Sequence, residues 1–169
     1  DIDVSTKDKA AVSTTGDGNV SIELDGDSTL KSGSAHAGLE KNTGGSLTIA
    51  DEDKNGKLTS EGGKYGAGIG GGNKGNGDNI AISGGEVKAT GGTWGAGIGG
   101  GKNGAGSGIT ISGGEVEATG GSAGAGIGGG YEGDGSNITI TDGKVTATGG
   151  YGGAGIGGGH QGAGSYITI

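Results

Sequence analysis

Apolar residues in this chain alternate over a few positions and then repeat over a much longer distance. Ile80-Ala81-Ile82, Val87-Lys88-Ala89-Thr90 and Ala96-Gly97-Ile98 each set inward-type residues two apart, the spacing of a half-buried strand. Glycine pairs such as Gly84-Gly85 and Gly91-Gly92 separate them, as turns would. No stretch carries a 3.6-residue period, and the glycine content opposes helices. The phrase GAGIGGG starts at 66, 95, 124 and 153, always 29 residues after its predecessor. Between its copies run NIAISGGEVKATGG, GITISGGEVEATGG and NITITDGKVTATGG, and a last partial copy ends at Tyr166–Ile169. A unit this short cannot bury its own apolar face, so successive units must stack.

The pattern therefore predicts an all-β fold: a single-stranded right-handed parallel β-helix, three short strands per coil and about 29 residues per coil. The right hand is the one parallel crossovers favour. Counting back from Val87, Val116 and Val145 gives Leu58, Leu30 and Val4 as equivalent inward positions. Counting back from Ile69 gives Leu39 and Val12, and from Ile82 gives Ile49 and Ile22. Five to six coils result, a rod of roughly 25–30 Å at about 4.8 Å per rung. Residues 1–64 form irregular coils and residues 65–169 the regular ones, within one domain spanning 1–169. Asp1 begins in mid-pattern, so the chain is expected to be a fragment of a larger protein. Strand edges and open apolar ends make end-to-end self-association a second expectation.

Composition then narrows the classes. Glycine supplies 51 of 169 residues, but proline is absent and there is no Gly-X-Y phase, which excludes a collagen helix. The net charge is −8, with 11 lysines and no arginine, a poor match to nucleic acid, whose phosphates require basic stripes. No apolar run approaches the ~20 residues that a membrane span needs. Cysteine is absent, which fits an exported protein that does not rely on disulfides and a cytosolic one equally well.

The segments VSIELDGDSTLKSG and AGLEKNTGGSLTI, followed by the ISGG-x-V-x-ATGG-x-x-GAGIGGG repeats, resemble the pectate-lyase-like carbohydrate-binding domains of large Gram-positive surface proteins. The resemblance covers nearly the whole chain. It implies a non-catalytic polysaccharide-binding module, extracellular, on a bacterial cell surface or secreted, adhesin-like in use. The alternatives that the residues leave open are a structural stalk, an end-to-end fibre-forming solenoid, and ice binding through threonine ladders such as Thr110, Thr139 and Thr168.

Chemistry has few footholds. Pectate lyases resemble a design with an arginine base, and this chain has none. Glu86 and Glu115 stand outward without a converging carboxylate set, and His36 and His160 lack recurring partners, so the chain is expected not to be an enzyme. GAGIGGG is not a phosphate loop, because no helix follows it. Asp51, Asp53 and Asn55, with Gly56 behind them, match the opening of a calcium loop, although Glu61 falls one residue early for the closing ligand. No cofactor is expected, with calcium at this loop as the alternative, since a solvated Asp/Asn/Gly turn needs no metal. The aromatic residues are more telling. Tyr65 and Trp94 share one coil position, just before GAGIGGG, while Tyr131 and His160 share another, just after it. Both pairs are expected to flank a flat strip of outward glycines open to a polysaccharide, since sugar rings stack on aromatic faces.

Overall fold

The computed structural model describes residues 1–169, with Thr43 described by its backbone alone. Its strands are parallel and stack into a three-sided solenoid, six strands to a side among the described residues. One side, the valine face, runs from Ile2–Asp3 through Asp27–Lys31, Lys57–Glu61 and Glu86–Thr90. The isoleucine face runs from Val20–Glu23 through Leu47–Ala50 and Ile80–Ile82 to Gly164–Thr168. In the fourth and fifth coils these two faces join as single bent strands, Gly106–Thr119 and Gly135–Thr148. The glycine face is shorter, ending in the two-residue strands Ile69–Gly70, Ile98–Gly99, Ile127–Gly128 and Ile156–Gly157.

Like residues stack on like. Val87 pairs with Val116, Ile82 with Ile111, and Ile98 with both Ile69 and Ile127. Ile82, Ile111, Val87 and Ile98 are fully buried, whereas Ile140 and Val145 in the top coils are partly covered. The predicted equivalences on the glycine and isoleucine faces hold, since Val12 pairs with Leu39 and Ile22 with Ile49.

On the valine face the early register differs from expectation by two residues. Leu30 faces Ser60, not Leu58, and Ile2 takes the place below Leu30 that Val4 was expected to take. A two-residue step keeps every side chain on its own face, so the core survives it. The volumes explain the choice: Ser28 lies beneath Leu58 and Leu30 beneath Ser60, small against large in both columns. Ser60 replaces the alanine found above it at Ala89 and Ala118, and its buried hydroxyl donates to the Gly68 carbonyl at 2.8 Å.

Candidate functional site

The glycine strip is not open. Gly66–Gly72, Gly95–Gly101 and Gly124–Gly130 are buried throughout, which corrects the expected accessible surface. The cause is close approach of backbones. A Cβ on Gly66 would lie 2.0 Å from the His36 carbonyl oxygen, and one on Gly99, with φ +131°, would lie 2.0 Å from that of Gly128. The following turn also folds back, so that a Cβ on Gly77 would lie 2.1 Å from the Gly99 oxygen. Glycine is required here because rungs and turn fill the space a side chain would need.

The same fold-back brings the two aromatic positions together. The chain leaving GAGIGGG returns beside the residue that preceded it one coil lower. Tyr65 thus accepts the amide of Lys102, Trp94 that of Tyr131, and Ala123 that of His160. Two columns stand side by side along the rod: Tyr65, Trp94, Ala123 and Gly152 in one, and Asn73, Lys102, Tyr131 and His160 in the other. The four aromatic candidates therefore lie on one edge and do not flank a strand from opposite sides.

Their contacts follow from this arrangement. Trp94 meets Tyr131 edge to face at 4.9 Å between centroids, and Tyr131 stacks on His160 at 5.7 Å with 11° between planes. Tyr65 does not stack on Trp94. Lys102 stands between them, its ammonium 5.5 Å from each ring centroid, and Lys64 lies 5.1 Å from that of Tyr65. Cations over ring faces are favourable. Among the described residues neither lysine pairs with a carboxylate, whereas Lys31, Lys57, Lys88 and Lys144 all do. The neighbouring Glu132 carboxylate holds the Tyr131 phenol above its usual range.

Above Trp94 the first column turns small, with Ala123 and then Gly152, where a Cβ would lie 2.2 Å from the His160 ring. A depression of about 350 Å³ opens there, floored by Ala123 and walled by Trp94, Tyr131, His160, Thr93 and Ser122. Tyr151 completes it and is fully exposed. Sequence reasoning passed over Tyr151. It sits one residue ahead of the aromatic column, and only the depression shows what it borders.

The calcium candidates are engaged locally. Asp51 Oδ2 accepts the Gly56 amide at 3.0 Å, Asp53 accepts the Asn55 side-chain amide at 2.9 Å, and Asn55 Oδ1 accepts the Gly26 amide at 3.3 Å. Asp51 Oδ1 is buried and has no partner. Among the described residues, no group of three or more His, Cys, Asp or Glu side chains is arranged to hold a metal. The Gly75–Asn79 segment holds the short strand Gly77–Asp78, which pairs with Gly106 and Ser107, and Asn79 after it has φ 54°, a left-handed conformation that Gly108, Asn137 and Tyr166 share one coil apart.

One histidine does have partners. His36 Nδ1 lies 2.8 Å from Glu40 Oε2, and its Nε2 is 3.8 Å from Asp8 Oδ1. Glu40 is buried and also accepts from the Ala37 amide and the Asn42 side chain. Period-based reading missed it because later coils place glycine opposite Glu40, beginning with Gly70. The threonine ladders are short. Thr110 pairs with Thr139, and Thr139 with Thr168, but Ala81 lies below Thr110.

No curated protein and no solved structure matches the chain. No helix is long and apolar enough to cross a membrane. The sequence profile of the beta helix repeat family matches residues 54–73, 80–102, 109–131 and 138–160. These four segments are successive coils of the solenoid and span more than half of the chain, which therefore belongs to the beta helix repeat family.

Proposed function

We propose that this domain is a non-catalytic polysaccharide-binding module of a bacterial surface or secreted protein. The observation that carries the reading is the placement of aromatic residues. Of one tryptophan and four tyrosines in the sequence, Trp94, Tyr65, Tyr131 and Tyr151 gather on one edge with His160, leaving only Tyr166 elsewhere. Buried rings would be ordinary core, yet these are half-buried or exposed in a core otherwise made of aliphatic side chains. Partly exposed rings, beside threonine and serine hydroxyls, suit the apolar faces and polar rims of sugars. Recognition needs no bond-making group, and none of the ridge residues forms a nucleophile–base pair.

Affinity electrophoresis against cellulose, xylan, pectin and mucin glycans tests the reading. The wild-type domain should be retarded by at least one of them, and Trp94→Ala should be retarded less. Free migration of the wild type through all four would favour a structural spacer. That second reading draws on the near-identical rungs and their cross-coil ion pairs, Lys57–Glu86 and Lys144–Glu115, features that stiffen a rod. End-to-end association would extend it.

A further inference from the structure

We infer that the ligand enters as a single sugar ring seated over Ala123, so that the domain recognises a chain end or short branch and not the interior of an extended chain. The inference rests on the glycan reading above and adds where on the ridge the sugar lies. An extended chain following the rod would need a continuous trough. The depression instead has Trp94 at its lower end and Tyr151 at its upper end, with His160 beside Ala123. Its volume of about 350 Å³ lies at the small end of the roughly 300–1,000 Å³ range of ligand sites. Only there does the first column lose its large side chains. Tyr65 and Trp94 fill the equivalent position in the two coils below, and His160 covers Gly152 in the coil above. Tyr131 and His160 supply the side wall, and Thr93 and Ser122 bring hydroxyls to the opposite rim.

Ala123 is thus the residue whose size decides whether a ring fits. The fold has already shown that a larger side chain is tolerated at this position. Trp94 stands there one coil lower, beside Tyr131, as a residue at 123 stands beside His160. Ala123→Trp should therefore fold and fill the seat.

The test uses isothermal titration of wild type and Ala123→Trp. The probes are glucose, xylose, galactose and N-acetylglucosamine, with the β-1,4-linked dimer and tetramer of each. We expect one monosaccharide to bind wild type within about threefold of its tetramer. Ala123→Trp should weaken it at least tenfold with an unchanged melting temperature. Affinity that climbs with each added sugar, or that survives in Ala123→Trp, overturns the seat but leaves the glycan reading standing. No binding of any probe by wild type, together with no retardation by the four polysaccharides, overturns both. If Ala123→Trp melts early, Ala123→Leu takes its place in the same comparison.

Discussion

The carbonyl of Trp94 accepts the backbone amide of Tyr131 at 2.9 Å, and their rings meet edge to face although they belong to different coils. One backbone hydrogen bond thus converts two sequence positions on opposite sides of a glycine motif into neighbours. Such an edge contact stabilises by about 0.5–1.5 kcal/mol beyond the area it buries. A double-mutant cycle of Trp94→Ala and Tyr131→Ala, followed by urea unfolding, should give a coupling in that range. Strictly additive losses would mean that the ring contact contributes nothing. Trp94→Ala should also weaken glycan binding about tenfold, comparable with the loss of one stacked ring.

Ile111 is fully buried between Ile82 and Ile140. The solenoid core is only one side chain deep, and the rungs above and below fix its height, so it collapses poorly around a cavity. Ile111→Ala should cost about 2–4 kcal/mol in urea unfolding. A loss below about 1 kcal/mol would contradict this packing.

Two glycine substitutions separate close approach from mere abundance. Gly99→Ala places a methyl group against the Gly128 carbonyl at positive φ, and it should prevent folding or lower the melting temperature sharply. At Gly18 an added Cβ meets nothing within 4 Å and φ is not in the left-handed region. Gly18→Ala should be neutral or stabilise by about 0.4–1 kcal/mol, because it restricts the unfolded chain. Equal effects at the two sites would remove the steric account of the glycine face.

Asp51 closes its loop through the Gly56 amide. Asp51→Ala leaves that buried donor unpaired, at a cost of about 1–3 kcal/mol. The loss should be equal in calcium and in chelator. A wild-type melting temperature that rises with calcium, and does so only while Asp51 is present, would instead assign the ion to this loop.

The Glu115 carboxylate, bonded to Lys144, holds that ammonium above the usual lysine range. The folded state therefore binds this proton more tightly than the unfolded chain. The pair's contribution is complete below the unfolded value of about 10.4 and is lost as pH rises through the folded value. Both side chains are exposed, so the effect on stability is small and NMR titration is the sensitive readout. In Glu115→Gln, Lys144 should titrate at a lower pH than in wild type.

The solenoid was legible because its signal is periodic. Ile82, Ile111 and Val87 recur at one interval with one polarity, and stacking like on like needs no other information. The register at Leu30 and Ser60 was less legible, since a two-residue step preserves polarity and only complementary volumes decide between the alternatives. The site was half legible. Tyr65, Trp94, Tyr131 and His160 stood out by rarity, but their convergence depends on the GGG turn folding back, a three-dimensional event that strand alternation does not encode. The convergence of Asp8 and Glu40 on His36 was not legible because it occurs in one coil alone.

The left-handed positions Lys74, Asn103, Glu132 and Gln161 carry four different side chains on one unchanging backbone. Each coil is therefore a cassette: its glycines are locked by the neighbouring rungs, while its tip and two ridge positions carry different side chains from coil to coil. Duplicating one 29-residue unit adds a rung and a new pair of ridge residues without disturbing those below. Under the proposed glycan reading, swapping a few letters per coil would change what the edge contacts while the stacked rungs persist, and surface diversity in such chains is expected to accumulate along this single edge.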